Sequence, residues 1–461
     1  MIDVLKPYPA YKDSGVPWLG EIPEHWDVRR VREVANLLVS NVDKYTQEGE
    51  ETVRLCNYLD VYKNDRITDR LAYMRASATR DEIQRFRLRA DDVLITKDSE
   101  LWNDIAVPAL VEYEAADLVC GYHLAILRAR KTTLIGNYLF RAVQSIGVAS
   151  QFHVAANGVT RFGLSHQAIK DIRIPVPSVL EQATIARFLD HADRRIRRYI
   201  AAKRKLIALL NEQKQAIINN AVTRGLDPNV RLKPSGAGWL GDVPSHWEVK
   251  RLKWVTRLQR GYDLPADQRQ EGEVPVISSG GVIGTHSQAR ATAPGVVMGR
   301  YGSTDAVYFV ERDYWPHNTA LFVTDFNGND PRWCYYLLRT ISKADHASKS
   351  AVPGVDRKDL YEIRVPRPSP SEQIVVVRQI ESEVAIVETA VDRTQRQIDL
   401  MREYRTRLIA DVVTGKVDVR EVAANLPDEG EEPELEELGE GAAESEEEDL
   451  DQEAMLEEVE A

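Results

Sequence analysis

IRIPVPSVLEQATIARFLDHADRRI, residues 172–196, and IRVPRPSPSEQIVVVRQIESEVAIV, residues 363–387, decide the fold of this chain. They are copies of one stretch, offset by 191 residues. Each opens with Pro-x-Pro-Ser-x-x-Glu-Gln and then runs free of Gly and Pro to Gly225 or Gly415. Ser178-x-x-Glu181 and Ser369-x-x-Glu372 have the capping-box spacing, in which the Ser oxygen accepts from the N–H three residues on and the Glu reaches back to the Ser N–H. Pro370 suits the first helical position, where a missing donor costs nothing. Gly225 and Gly415 are the usual left-handed stops. The pattern predicts two helices of roughly 43 residues, each about 60 Å long at about 1.5 Å per residue.

Apolar residues recur along both at alternating spacings of four and three. The first seam reads Ile185, Leu189, Ala192, Ile196, Tyr199, Lys203, Leu206, Leu210, Gln213 and Ile217. The second reads Val377, Ile380, Val384, Val387, Val391, Thr394, Ile398, Met401, Arg405, Leu408 and Val412. Such a seam needs a partner helix, and the economical partner of each is the other.

A second repeat precedes each helix. Trp18-Leu19-Gly20, Pro23, His25-Trp26, Val28 and Arg30 match Trp239-Leu240-Gly241, Pro244, His246-Trp247, Val249 and Arg251. The chain is therefore motif, variable segment and helix, written twice. The variable segments, roughly 30–170 and 252–362, share little residue by residue. Both read as mixed α/β with short strands: Val93–Thr96 and Leu124–Leu127 in the first, Val274–Ser278, Val296–Gly299, Ala306–Val310 and Leu321–Thr324 in the second. Faint matches align residues 90–97 with 293–300, and 122–127 with 317–322. A like scaffold with unlike surfaces suits two modules that read different targets.

The 461 residues carry 60 Lys+Arg against 72 Asp+Glu, a net charge of −12. Eighteen of the acidic residues and none of the basic ones lie from Pro427 onward; without that tail the balance is 60 against 54, a net of +6. The body is mildly basic and the tail is a polyanion, too poor in apolar residues to order itself. Cys56, Cys120 and Cys334 are scattered, without metal-ligand spacing, and read as reduced thiols of a cytoplasmic protein. No apolar run approaches the length of a membrane span, and no signal peptide is evident.

Enzymatic signatures are few. Gly295-Val-Val-Met-Gly299-Arg-Tyr-Gly302 lacks the P-loop lysine and reads as a turn between strands. Asn329-Asp-Pro331-Arg-Trp departs from the adenine-methyltransferase Asn/Asp-Pro-Pro-aromatic pattern by one Pro and reads as an Asx-Pro turn opening a helix. The nine histidines show no metal-binding cluster. His25-Trp26 and His246-Trp247 sit among Trp, Leu, Gly and Pro, a composition suited to an aromatic clasp on the helix ends or on a partner. The chain is read as non-catalytic.

Nucleic-acid contact is better supported. Arg66, Arg70, Arg75, Arg80, Arg85, Arg87, Arg89 and Lys97 interleave with aromatics in the first variable segment. Arg257, Arg260, Arg269, Arg290, Arg300-Tyr301, Arg312 and Lys349 do so in the second. Cationic side chains on phosphates give affinity, and contacts to base edges give sequence choice.

The order Trp-Leu-Gly-x-x-Pro-x-His-Trp, variable domain, Pro-x-Pro-Ser-x-x-Glu-Gln and long helix, repeated once over about residues 10–420, resembles the specificity (S) subunit of type I restriction-modification systems. The resemblance implies an α/β (α+β) architecture: two mixed target recognition domains separated by two long antiparallel coiled-coil helices, with pseudo-twofold duplication. Residues 1–177 would hold the first clasp motif and target recognition domain, 178–225 the first spacer helix, 226–368 the second clasp and domain, 369–416 the second helix, and 417–461 a disordered acidic tail. Each domain would read half of a bipartite double-stranded DNA site. Two modification (methyltransferase) subunits would dock on the helices, and restriction (endonuclease and translocase) subunits would join them. S-adenosylmethionine, ATP and Mg would belong to those partners, with no cofactor, metal or membrane partner for this chain. The candidate DNA-facing residues are Lys97, Arg300 and Tyr301 after the matched strands, and Asn157, Thr160, Arg161, Lys349 and Ser350 before the capping boxes. The acidic tail lies outside the usual pattern and reads as a solubilising extension or a DNA-mimicking brake. A coiled-coil scaffold that never reads DNA is the alternative from another class, and a recognition module for a different DNA-modifying system is a nearer one.

Overall fold

The computed structural model describes residues 5–300, 306–341 and 355–427. It divides into two units, Met1–Lys203 with Gln397–Ala461, and Arg204–Arg396. Tyr301, Lys349, Ser350 and the acidic stretch from residue 428 lie outside the described residues.

Unit 1 is built on a five-stranded sheet in the order Ala35–Val39, Leu124–Ala129, Asp92–Thr96, Pro108–Val111, Arg66–Ile67. Its central strands are apolar on both faces because both are covered. Val93, Ile95, Ala125 and Leu127 point into a core shared with the helix Gly136–Gln144 and the start of the first long helix. Leu94, Leu124 and Ile126, on the opposite face at period two, join a second core with Val53, Leu55, Ala76 and Val119. Those last residues come from a three-stranded sheet in the order Leu118–Cys120, Glu51–Cys56, Met74–Ala78.

Unit 2 repeats the plan with different residues. Arg257–Arg260, Ala320–Asp325, Gly295–Gly299 and Val307–Val310 form a sheet in that order, antiparallel throughout. This is the chain order of the first four strands of unit 1. A three-stranded sheet again lies beside it, with Val274–Ser278 between the antiparallel Gly281–His286 and the parallel Trp315–Pro316. Val296 and Met298 face one core and Val297 the other. All six strands expected from the sequence form. Asp330 caps the helix Pro331–Thr340 by accepting from the Trp333 N–H, with Pro331 at the first position, so the Asx-Pro reading stands.

The long helices are Val179–Arg224, 46 residues, and Pro370–Val413, 44 residues. Each ends before a left-handed glycine, Gly225 at φ 74° and Gly415 at φ 72°. In unit 1, Ile185, Phe188, Leu189 and Ala192 share a core with Leu408, Ile409, Val412 and Val413. In unit 2, Ile218, Ala221 and Val222 share one with Val376, Val377, Ile380 and Val384. Early residues of one helix meet late residues of the other in both, so the pair runs antiparallel. The second helix buries the seam read from its sequence. The first departs from its own: Tyr199, Leu206 and Gln213 are exposed, while Ile200, Ile207 and Lys214 turn inward. After Ala192 two spacings of four follow in succession, through Ile196 to Ile200. The stripe there keeps the period of a straight helix before resuming the heptad.

The repeated His-Trp motif is a clasp on the helix ends. Its hairpins pair Tyr11–Asp13 with Glu21–Pro23, and Leu232–Pro234 with Asp242–Pro244. Trp26 and Trp247 are fully buried. In unit 1, His25 Nε2 lies 3.1 Å from Glu181 Oε2, and the Tyr8 hydroxyl donates to Glu181 Oε1 at 2.8 Å. Burial and Glu181 push the Tyr8 pKa far up, which keeps it a donor. Pro23 and Trp26 press on Gly415, the end of the other helix. In unit 2, His246 and the Trp247 indole hold Glu372, at 3.2 and 2.8 Å, and Trp247 and Pro244 press on Gly225. Ser178 and Ser369 accept from the Glu181 and Glu372 N–H groups, both at 3.3 Å. The glutamates do not return to the serine N–H as a capping box requires, because the clasps engage their carboxylates. Gln182 and Gln373, next in the motif, are fully buried and tie each long helix to a shorter one: Gln182 accepts from the Ile135 N–H and Gln373 from the Asp330 N–H.

A buried ion network adds a second tie in unit 1. Arg405 of the second helix reaches Asp193 of the first and Asp65 beside the main sheet. Arg197 bridges the same two aspartates at 2.9 and 2.6 Å. Arg141 binds Asp190 at 2.6 Å and Asp193 at 3.4 Å. Burial opposes the charge on Asp193, but Arg141, Arg197 and Arg405 outweigh it and hold the carboxyl well below its usual range. The polar residue at the Arg405 seam position is thereby explained. So is the termination: the residues after Gly415, expected to open the tail, fold onto unit 1. Asp418 pairs with Lys6, the helix Arg420–Ala424 follows, and Val419 and Ala423 enter the core.

Candidate nucleic-acid interface

The strand Asp92–Thr96 leaves the main sheet of unit 1 at Lys97. Beyond it Asp98–Ser99 pairs with Phe162–Gly163, which pairs with Asn157–Gly158. The chain thus brings Lys97 together with Asn157, Thr160 and Arg161, which lie about 60 residues apart in sequence. Gly158 is required where the hairpin turns: an added Cβ would stand 1.9 Å from the Arg161 carbonyl oxygen. Thr160 and Arg161 are exposed at the tip, and Asn157 donates back to the Ala155 carbonyl at 2.8 Å. Lys97 is held by its neighbours, with Nζ 3.4 Å from Asp98.

His123 and Asp98 lie 2.9 Å apart, Nδ1 to Oδ2. Burial raises the Asp98 pKa, but His123 and Lys97 more than offset it, and the group sits below the usual carboxylate range. Tyr122 packs on the His123 ring at 3.8 Å between centroids, and Tyr58 stacks on Tyr62 at 5.5 Å. The Tyr58 pKa is raised by burial and Asp104, against the opposing pull of Ser99 and Arg161. The face therefore offers cations, amide and hydroxyl groups, and aromatic rings at the ends of the central strands. Sequence reasoning missed Tyr58, Tyr122 and His123. Their signal was an aromatic or imidazole group placed just after Cys56 or Cys120, where two parallel strands end together.

Unit 2 makes the same backbone cradle. The Lys97 N–H donates to the His123 carbonyl at 2.9 Å, and its carbonyl accepts from Leu164 at 3.0 Å. The Arg300 N–H donates to the Thr319 carbonyl at 3.0 Å, and its carbonyl accepts from Val355 at 2.9 Å. Around Arg300, His317 Nδ1 lies 3.1 Å from Thr319 Oγ1, and the Asn318 amide donates to Asp263 at 2.6 Å. Burial, with help from Arg269, lowers the His317 pKa and keeps the ring neutral.

Several interleaved arginines do other work. Arg66 is taken up by Asp190 and Glu112, Arg87 by Glu114, and Arg80 by Glu51. Arg290 lies over the Tyr262 and Trp315 rings, and Arg269 donates to the Ile283 carbonyl. Among the described residues no group of His, Cys, Asp and Glu is placed to hold a metal ion, and no helix is long and apolar enough to cross a membrane.

Residues 23–207 match the family model described as the type I restriction modification DNA specificity domain. The chain is 21% identical over 421 residues to a putative type I restriction enzyme MjaX specificity subunit of Methanocaldococcus jannaschii, covering 87% of this chain and 96% of that one. It is 22% identical over 240 residues to the type I restriction enzyme MjaVIII specificity subunit of the same organism, covering 52% and 51%. The fold matches a chain solved in work on complex assembly and conformational transition of the type I R-M system, with a TM-score of 0.64 at 14% identity, over 85% of this chain and 98% of that one.

Proposed function

We propose that the chain is a specificity subunit of a type I restriction-modification system, a reading supported by the family match over residues 23–207 and by the likeness to the MjaX subunit along most of both chains, and that units 1 and 2 each read one half of a bipartite double-stranded DNA target. The chain is a recognition subunit without catalysis of its own. The observation that carries the reading is the shared cradle: one backbone arrangement holds Lys97 in unit 1 and Arg300 in unit 2 amid different side chains. Two modules of one design then present two unlike surfaces, as a target with two different halves requires. Arg161, Thr160 and Asn157 contact the first half-site with Lys97. Arg300, with Tyr301, Lys349 and Ser350, contacts the second.

The paired helices set the gap between the half-sites and dock two modification subunits, which supply S-adenosylmethionine and the methyl transfer. Restriction subunits working with ATP and Mg complete the assembly in the cytoplasm. Mapping methylated sites in a host that expresses this chain with its modification subunit tests the reading. A split target with a fixed gap supports it, and no sequence-specific methylation favours a protein scaffold instead. Arg300→Ala is expected to weaken cognate binding by about 1–3 kcal/mol or relax specificity in one half only. Unchanged binding and methylation would remove Arg300 from the interface.

A further inference from the structure

We propose that Leu101 and Trp102 form an apolar wedge that enters the duplex and unstacks a base step in the half-site read by unit 1, a role that rests on the DNA-reading function above. Both side chains are more than half exposed, at 58% and 52%. Val159, at the tip of the neighbouring hairpin, is 93% exposed. Two adjacent large apolar groups left in water on one turn suit a surface that something covers.

The turn that carries them is fixed. The Leu101 N–H donates to Ser99 Oγ at 3.3 Å, and the Asp104 N–H closes on the Leu101 carbonyl at 3.2 Å. The Tyr62 hydroxyl holds Asp104 at 2.8 Å. Ile105 and Ala106 are buried, and Ala106 accepts a left-handed φ of 61° to return the chain to the sheet. The Trp102 ring is braced edge-on against His153, with centroids 6.3 Å apart. A tip held this firmly does not collapse onto the surface to hide its apolar area.

Charge selects the occupant. Lys97 lies two residues before Ser99, which begins the turn, and Arg161 stands on the strand hairpin paired with that stretch. Of the nearby carboxylates, Asp98 is engaged by His123 and Lys97 and Asp104 by the Tyr62 hydroxyl, while Glu100, next to Leu101, is exposed. Cations flanking a rigid apolar tip suit a polyanion whose interior is a stack of aromatic planes. Proteins that kink DNA insert apolar side chains between base steps beside cationic phosphate contacts, and ring-on-base stacking contributes substantially per base.

The test uses the full chain and a duplex carrying its mapped target, with 2-aminopurine placed at successive positions. Wild type is expected to raise the probe emission at one step of one half-site. Trp102→Ala should abolish that rise and lower affinity about 10- to 100-fold, and Trp102→Phe should keep both. Arg161→Ala should weaken binding yet preserve the rise at saturating protein. No rise at any position with wild type, or Trp102→Ala with unchanged affinity and emission, overturns the wedge while target recognition stands. Trp102→Ala that loses only its methyltransferase partner assigns the tip to a protein contact and also overturns it. Wild type that cannot distinguish target from scrambled duplex sinks the wedge and the DNA-reading function together.

Discussion

Asp193→Asn removes one negative charge from the buried network of unit 1 without changing the side-chain volume. In the wild type this carboxylate, 6% exposed, faces Arg141, Arg197 and Arg405 at once. Arg141 is almost fully enclosed, with 1% of its side chain exposed, so it cannot turn to water for compensation. Removing one partner of a buried pair typically costs about 3–5 kcal/mol, and the amide still offers an oxygen, so a loss of about 3 kcal/mol is expected. Glu388→Gln, which breaks the exposed pair with Lys214, should cost under about 1 kcal/mol. Urea titration followed by circular dichroism measures both.

The pH dependence gives an independent sign. The folded pKa of Asp193 is depressed. Its contribution is therefore complete above the unfolded value near 3.9 and fades as pH falls toward the folded one. The gap between wild type and Asp193→Asn should narrow by roughly 0.7 kcal/mol between pH 7 and pH 3.5. Arg405→Gln added to Asp193→Asn should cost less than the two single losses together, since each alone strands a charge. A variant within about 0.5 kcal/mol of wild type at pH 7, or a gap that widens in acid, would refute the argument.

Two further outcomes follow from the rods. Inserting seven residues into both helices adds about 10 Å of length and should lengthen the methylated gap by about 3 base pairs at 3.4 Å each; an unchanged gap in the methylome would end the ruler idea, and the same insertion in one helix alone should cost a clasp and the fold. Gly415→Ala should destabilise more than Gly225→Ala in a thermal melt: both need a left-handed backbone, a strain of about 1–2 kcal/mol, but the Cβ at 415 would stand 2.3 Å from Pro23 Cδ, while the one at 225 would stand 3.2 Å from the Trp247 ring. Equal losses would mean that the clasp does not press on the helix end.

The helices, their stops, the duplication and the strands were legible because each rests on a local rule: capping residues, a glycine stop, apolar periodicity. The seam of the first helix was legible to Ile196 and beyond it only at alternate positions, with Lys203, Leu210 and Ile217 half-buried as expected and Tyr199, Leu206 and Gln213 exposed. Beyond Ile196 the inward face passes to Ile200, just past Asp193, whose partner Arg405 lies more than 200 positions away in the chain. The glutamates of the capping boxes were read as local partners of serine, while the tertiary partners His25, Tyr8, His246 and Trp247 took them. At the interface, Lys97 and Arg161 could be chosen singly, but nothing in their spacing showed that one small sheet joins them. Arg66 looked like its neighbours until Asp190 and Glu112 closed on it.

Unit 1 is completed by residues from 397 onward, whereas unit 2 is one contiguous stretch, 204–396. During synthesis the second-made portion can therefore mature first. The earlier one leaves the ribosome with Trp26 and Ile185 lacking the cover that Leu408, Val412 and Gly415 will bring, and this exposed interval is where chaperones and proteases have their opening.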